Sequence, residues 1–280
     1  MAHLRVLLDG QPAHAVPASD RGMQFGDGLF ETIRLVQGRA PLWDRHMARL
    51  REGANRLGLP LPSDDALAAD CHTLAAGHHG IVAKIILTRG DGGSGYRPPQ
   101  RPVTRRIVIA RPLPPVDVSP LTLGVCETRL GHHALLAGLK HLGRLEQVLA
   151  QRELAARGLG EGLMLDQDDA VIEATMSNLF VYRDHAFVTP PLDRCGVQGV
   201  MRAAIIDMLK AQGSDVRLAR VELHDCLVAD GLFLCNAVRG VQPVGELNGR
   251  HWSQVAAPIK ALQTQVMQLL GIMDHQPGAT

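Results

Sequence analysis

The sequence predicts an α+β chain of two domains, and three observations carry that expectation. Apolar β-forming runs and helical stretches are mixed without the strict strand–helix alternation that a doubly wound nucleotide fold requires. The stretch "RPLPPVDVSPLT" (111–122) holds four prolines, which disfavour both helix and central strand. It divides an N-terminal domain over 1–112 from a C-terminal one over 121–280, with 113–120 as linker. At 280 residues and 46% hydrophobic, the chain can bury a proper core in each half.

"HLRVLLDG" (3–10) predicts a first strand, because β-formers run into an Asp-Gly turn. "FETIRLVQGRAPL" (30–42) predicts a hairpin with Phe30, Thr32 and Arg34 on one, inward face and Ile33 and Leu35 on the other. "WDRHMARLREGANRLGLP" (43–60) predicts a helix: Asp44 is the N-cap, Met47, Leu50, Ala54 and Leu57 form one side, and Gly58 and Pro60 stop it. A second helix is expected over 63–76, and strands over 81–87 and 106–110.

Beyond the linker, "LAGLKHLGRLEQVLAQREL" (136–154) spaces Leu139, Leu142, Leu145 and Leu149 as a helix that Lys140 opens. Short strands are expected at 162–165 and 179–182, then a helix at 199–212 and strands at 215–221 and 232–235. A final helix is expected near 255–270, and no internal repeat is visible.

Charge and composition exclude several partners. The net charge is +1 with both signs interleaved, which leaves no basic stripe for nucleic acid and no polybasic membrane patch. No apolar run approaches the ~20 residues that cross a bilayer, and the N-terminus does not read as a signal peptide. Cys71, Cys126, Cys195, Cys226 and Cys235 are odd in number and form no CxxC pair, which favours reduced thiols in the cytoplasm over disulfides or zinc. The histidine pairs at 78–79 and 132–133 lie in loop-like sequence, where solvation or capping outweighs metal binding.

Four stretches are too particular for ordinary core. "DRGMQFGDGLFETIR" (20–34) leads a glycine-spaced loop into the strand that carries Phe30, Thr32 and Arg34. Lys140 is placed at a helix start, where the macrodipole disfavours a cation; a lysine so held tends toward the neutral amine, a nucleophile able to form an imine with a carbonyl. In "MLDQDDAVIEATMSNLFVY" (164–182) a turn at 167–169 returns into a strand, where Glu173 sits among apolar residues and calls for a cation. "RCGVQGVMR" (194–202) and "LFLCNAVRGVQPV" (232–244) offer backbone N–H groups, at Val200 and Met201 and at Asn236 and Ala237, suited to a phosphate. "TRGDGGSGY" (88–96) lacks nucleotide-loop spacing and is expected to be a mobile loop on the substrate side. An aldehyde, a basic ring nitrogen and a phosphate in one ligand describe pyridoxal 5′-phosphate.

Taken together in this order and spacing, these stretches resemble the class IV aminotransferases, the fold-type-IV pyridoxal-phosphate enzymes, from about residue 3 to 270. The resemblance implies a smaller N-terminal α/β sandwich, a larger C-terminal pseudo-barrel that binds the cofactor, and a homodimer. It implies Lys140 as the lysine joined to the cofactor, Glu173 at its ring nitrogen, and Arg49 with Val200, Met201, Asn236 and Ala237 around its phosphate. "FGDGLFETIR", "KHLGRLEQVLA" and "EATMSNLF" look most like the branch that cleaves 4-amino-4-deoxychorismate, a small-molecule substrate. That likeness implies Thr32 as the distinctive catalytic hydroxyl, and Gly143 departs from the asparagine usual there. Phe30, Arg34, Tyr96 and Arg97 are expected at the substrate, the two arginines as carboxylate clamps. The alternative is a D-amino-acid or branched-chain aminotransferase using the same lysine and glutamate.

Overall fold

A computed structural model of the chain describes residues 5–272, so the start of the predicted first strand, residues 3 and 4, lies outside the described residues. Backbone contacts divide the chain into two compact units. The first runs to Pro114 and also takes Leu139–Gly143; the second takes Pro115–Gly138 and continues from Arg144. This division differs from the expected domains over 1–112 and 121–280: the boundary falls between Pro114 and Pro115, and the five residues around Lys140 group with the first unit.

In the first unit the elements are β1 (Arg5–Leu8), β2 (Gln11–Pro12), α1 (Arg21–Phe25), β3 (Gly28–Val36), α2 (Trp43–Leu57), α3 (Asp64–Ala75), β4 (Gly80–Thr88) and β5 (Arg105–Pro112). The strands form one antiparallel sheet in the order β2-β1-β5-β4-β3. Its apolar face takes alternate residues, Leu29, Ile33 and Leu35 from β3 and Ile81, Ala83, Ile85 and Leu87 from β4. Met47, Leu50 and Ala54 of α2 and Leu67, Cys71 and Leu74 of α3 close over them.

The predicted hairpin over 30–42 is not formed as expected. Gln37 and Gly38 have φ of 50° and 72° and close a tight turn, yet only Val36 and Arg39 pair across it. Pro41 has no N–H for a ladder, and the chain turns into α2 at Trp43 instead. The true partner of β3 is β4, in register from Gly28 opposite Thr88 to Val36 opposite Gly80. The predicted cap of α2 also shifts: Leu42 is the N-cap and Asp44 lies in the first turn, where its charge still suits the dipole. Gly58 ends the helix in the left-handed region as expected.

The second unit holds β6 (Leu121–Val125), α4 (Leu145–Ala156), β7 (Glu161–Leu165), β8 (Ala170–Ala174), β9 (Asn178–Arg183), β10 (Ala186–Thr189), α5 (Val200–Ala211), β11 (Asp215–Leu218), β12 (Val221–Glu222), α6 (Leu223–Leu227), β13 (Gly231–Asn236), β14 (Gly240–Leu247), β15 (Arg250–His251) and α7 (Ala257–Leu269). Pairings run β9–β13–β14–β6–β7–β8, and β8 returns to β9 through Glu173 opposite Asn178. The six strands thus form a closed ring, the pseudo-barrel. Alternate residues such as Leu163 and Leu165, Leu179 and Val181, and Leu232 and Leu234 fill one apolar cluster. Every residue of β7 and β8 is buried, including Glu161 and Glu173, so neither strand shows the alternation of a half-exposed one.

Two expectations change here. The strand predicted over 215–221 splits in two, β11 pairing with β10 and β12 with β8. The helix predicted to open at Lys140 begins only at Leu145. Residues 139–143 are instead held on the free edge of β3: the Phe30 N–H donates to the Lys140 carbonyl at 2.9 Å, and the Leu142 N–H to the Gly28 carbonyl at 3.0 Å. Along α4 it is Ala150 and Leu154 that are buried, while Leu145 is 77% exposed.

Candidate active site

Sheet alternation sets one group of candidate residues. With Leu29, Glu31, Ile33 and Leu35 turned to α2, the residues between them, Phe30, Thr32 and Arg34, occupy the opposite face of β3. The face predicted to point inward is therefore not the apolar one. Phe30 and Thr32 are half-buried and Arg34 is buried, where desolvation lowers the pKa of its guanidinium. The stitched segment 139–143 brings Lys140 to this strand, its Nζ 4.4 Å from the centroid of the Phe30 ring. Lys140 lies five residues before α4, so the helix-dipole argument for its reactivity does not apply.

Sequence reasoning missed Lys84. Its Nζ lies 4.7 Å from the same ring, and it stands directly opposite Thr32 in the β3–β4 register. Burial, helped by the charge of Arg111, pulls its ammonium below the ordinary lysine range. The signal was available: a lysine amid "GIVAKIILT" has to occupy the face opposite Ala83 and Ile85. Among the described residues the Thr32 hydroxyl has no hydrogen-bond partner, so its proton and lone pairs can serve a ligand.

Arg49 emerges from α2 onto the other face of β3. Its Nε donates to Glu31 Oε1 at 2.8 Å and its Nη2 to Oε2, while His46 Nδ1 lies 2.6 Å from Oε2. Glu31 and His46 are both 1% exposed. Burial alone would push the Glu31 carboxyl up; the Arg49 charge and the hydrogen bonds from His46 and Arg49 outweigh it and hold it at about 2. This pair fixes the direction of the Arg49 guanidinium, and Glu31 and His46 were not singled out from the sequence.

Tyr96 and Arg97 lie on the exposed glycine-rich loop, with Tyr96 87% exposed. No hydrogen bond or ring contact joins either to Phe30, Thr32, Arg34 or Lys140 among the described residues. Several hydrogen bonds tie the loop to its neighbours. Arg21 donates to the carbonyls of Gly95 and Tyr96 at 3.0 Å each and pairs with Asp27 at 2.9 Å. Arg105 clamps Asp91 at 2.7 Å and Asp20 at 2.6 Å.

A separate group of candidate residues is built at the closing seam of the barrel. "VIEATMSNLF" does not run on as one strand; a turn at 175–177 separates β8 from β9, and Glu173 and Asn178 meet across it. Glu173 is 4% exposed, and its Oε2 accepts from the Val197 N–H at 3.0 Å and from Asn178 Nδ2 at 3.2 Å. Two N–H groups offered to one oxygen favour the ionised carboxylate.

Val200 and Met201 open α5 behind Gly199, and no side chain caps that helix, so its first N–H groups keep their demand for an acceptor. Asn236 ends β13; its Nδ2 donates to Ser177 Oγ at 3.0 Å and its Oδ1 accepts from Val238 and Arg239 at 3.0 and 2.8 Å. Those bonds order the turn that holds Ala237. Cys235 pairs with Asn178 across β13 and β9, so Glu173, Asn178 and Asn236 belong to one end of the barrel.

His132, Asp166 and Cys195 also bring nitrogen, oxygen and sulfur within 4.8 Å of one another. His132 Nε2 is already bonded to Asp166 Oδ2 at 2.9 Å, and its Nδ1 faces Arg194 Nη2 at 3.0 Å. Both ring nitrogens are thus engaged in one hydrogen-bonded chain from Arg194 through His132 to Asp166. All five cysteines are buried and free, and burial pushes the Cys195 thiol up to about 12.

The family model described as amino-transferase class IV matches residues 28–247. An aminodeoxychorismate lyase from Vibrio harveyi is 37% identical over 86% of this chain and 90% of its own length. A putative branched-chain-amino-acid aminotransferase from Methanocaldococcus jannaschii is 30% identical over 84% of this chain and 83% of its own. The crystal structure of 4-amino-4-deoxychorismate lyase from Pseudomonas aeruginosa superposes with a TM-score of 0.86 at 41% identity, covering 94% of this chain and 98% of that one. A match across most of the chain, in sequence and in fold, means that the chain belongs to the class IV aminotransferase family.

Proposed function

We propose that this enzyme is a pyridoxal-phosphate-dependent lyase that converts 4-amino-4-deoxychorismate to 4-aminobenzoate and pyruvate, a step toward folate. The observation that carries the proposal is one strand face, on which an amine, Lys140, and an unpartnered hydroxyl, Thr32, accompany Phe30 and a second amine, Lys84. The lyase relatives, at 37% and 41% identity, favour this reaction over transamination.

The residues fit the cofactor. An uncapped helix start at Val200 and Met201 suits a phosphate, with the Asn236–Ala237 turn and Arg49 as its further ligands. A buried carboxylate kept ionised, Glu173, suits a protonated pyridine nitrogen, and the Lys140 amine suits an aldehyde. When bound, pyridoxal phosphate supplies a ring that accepts the electron pair left by a broken C–H bond.

The chain's own groups divide the remaining work. Lys140, as the unprotonated amine, takes the proton from the carbon that bears the substrate's amine. Glu173 holds the proton on the ring nitrogen. Thr32 donates a hydrogen bond to the ether oxygen as its bond to the ring carbon breaks, so that the three-carbon fragment leaves as enolpyruvate and becomes pyruvate. Lys84 and Arg34 attract the substrate carboxylates, with Tyr96 and Arg97 at the rim.

Lys140→Ala tests the centre of this scheme. Turnover and the long-wavelength absorbance of the bound cofactor should both disappear; retention of both would refute the role. Purified chain given aminodeoxychorismate should release pyruvate, whereas conversion of 2-oxoglutarate to glutamate with amino-acid donors alone would identify a D-amino-acid or branched-chain aminotransferase. The proposal includes a cytoplasmic homodimer. Five buried, unpaired cysteines suit a reducing compartment, and exposed Leu145, Val148 and Leu149 form an apolar stripe on α4 that a second copy would cover. Among the described residues no helix is long and apolar enough to cross a membrane.

A further inference from the structure

Asn178 is 6% exposed and touches three things at once. Its Nδ2 donates to Glu173 Oε2 at 3.2 Å and to the Val197 carbonyl at 2.9 Å. Both neighbours are acceptors, so the nitrogen has to stand there and Oδ1 has to turn the other way. On that side lies Gly199, the N-cap of α5: a Cβ built on Gly199 would fall 1.9 Å from Asn178 Oδ1 and 3.1 Å from its Cγ. Glycine is therefore required at 199 by the carboxamide packed against it. The Val197 N–H, two residues earlier, donates to the same Glu173 oxygen at 3.0 Å.

We propose that Asn178 is a positioning residue that sets the Glu173 carboxylate and the start of α5 together, so that one carboxamide aligns the grip on the ring nitrogen with the grip on the phosphate. The inference rests on the cofactor chemistry proposed above. Asparagine suits the task because it offers two N–H groups and one oxygen in a fixed plane. Both N–H groups are used, one on a carboxylate whose orientation they share with Val197. Aspartate would set a second carboxylate against Glu173, and alanine would leave Glu173 with one fewer donor to its charged form.

The experiment titrates four full-length proteins with pyridoxal 5′-phosphate by absorbance: wild type, Asn178→Ala, Gly199→Ala and the double variant. Each single variant should bind the cofactor about tenfold more weakly or worse, from the loss of a hydrogen bond to a charged group. The double variant should bind no worse than Gly199→Ala alone, because removing the carboxamide clears the space the new methyl needs. The pH at which bound-cofactor absorbance titrates should also move in Asn178→Ala, a readout that packing alone would leave in place. Asn178→Asp, nearly isosteric, should move it further by adding charge beside Glu173.

Losses that multiply in the double variant would overturn the inference. So would unchanged affinity and titration in both Asn178 variants. A wild-type chain that takes up no pyridoxal phosphate would instead overturn the cofactor proposal, and this inference with it.

Discussion

A half-buried hydroxyl with no protein partner among the described residues, beside an aromatic ring flanked by two amines, is free to bond a ligand. Thr32 stands in that position on β3, opposite Lys84 and next but one to Phe30. If it assists departure of the ether oxygen, Thr32→Val keeps the β-branched shape and removes only the hydrogen bond. Pyruvate release should fall by about two orders of magnitude or more, the usual scale of a lost proton donor, while cofactor affinity stays within about twofold. Coupled pyruvate detection and cofactor titration check both, and equal turnover would remove Thr32 from the reaction. At this scale Lys140 and Glu173 could be singled out because each lies in a stretch with its own spacing, and Thr32 through the family likeness. Asn178 and Lys84 could not, since the roles proposed for them depend on residues 197, 199 and 30, brought to them by barrel closure and sheet register that no short spacing encodes.

At the scale of elements, one buried ion pair joins β3 to α2. The Glu31 carboxyl is held at about 2, below its ordinary 4.5, so it stabilises the fold fully above pH 4.5 and loses that contribution as pH falls toward 2. Burial also lowers the pKa of the His46 ring, which the unfolded chain protonates first, so its contribution is likewise lost as pH falls below the ordinary histidine range. Glu31 alone is worth about 3 kcal/mol near neutrality and roughly half that at pH 3. Urea unfolding of wild type and Glu31→Gln should therefore differ most at pH 7 and converge on acidification; a constant difference would show that the carboxylate charge is not the link. The helix side of this pair was legible, since Met47, Leu50 and Ala54 repeat at helical spacing and Gly58 ends them. The strand side was misread as a hairpin because β4, the true partner of β3, begins some forty residues downstream, and α2 and α3 intervene. The start of α4 was misplaced for a related reason: Leu139 and Leu142 fit a helical period, but the backbone around them bonds to β3.

For the whole molecule, the proline-rich boundary was visible in composition, whereas the return of 139–143 to the first unit was not, because only the bonds to Gly28 and Phe30 reveal it. The proposed cofactor, if it binds the folded chain and not the unfolded one, should stabilise the fold by linkage. At about one hundred times its dissociation constant a ligand adds about 2.7 kcal/mol, which for a chain of this size raises the midpoint by several degrees, at roughly 2–4 °C per kcal/mol. Pyridoxal, which lacks the phosphate, keeps the aldehyde for Lys140 and the ring nitrogen for Glu173 but leaves the α5 start and the Asn236–Ala237 turn without their anion. Thermal scans should therefore show a rise of several degrees with pyridoxal phosphate and a clearly smaller one with pyridoxal at the same concentration. Lys140→Ala should reduce the rise with both, since the covalent attachment is common to them. Equal rises with the two ligands would take Val200, Met201, Asn236, Ala237 and Arg49 out of phosphate binding, whatever the fate of Lys140.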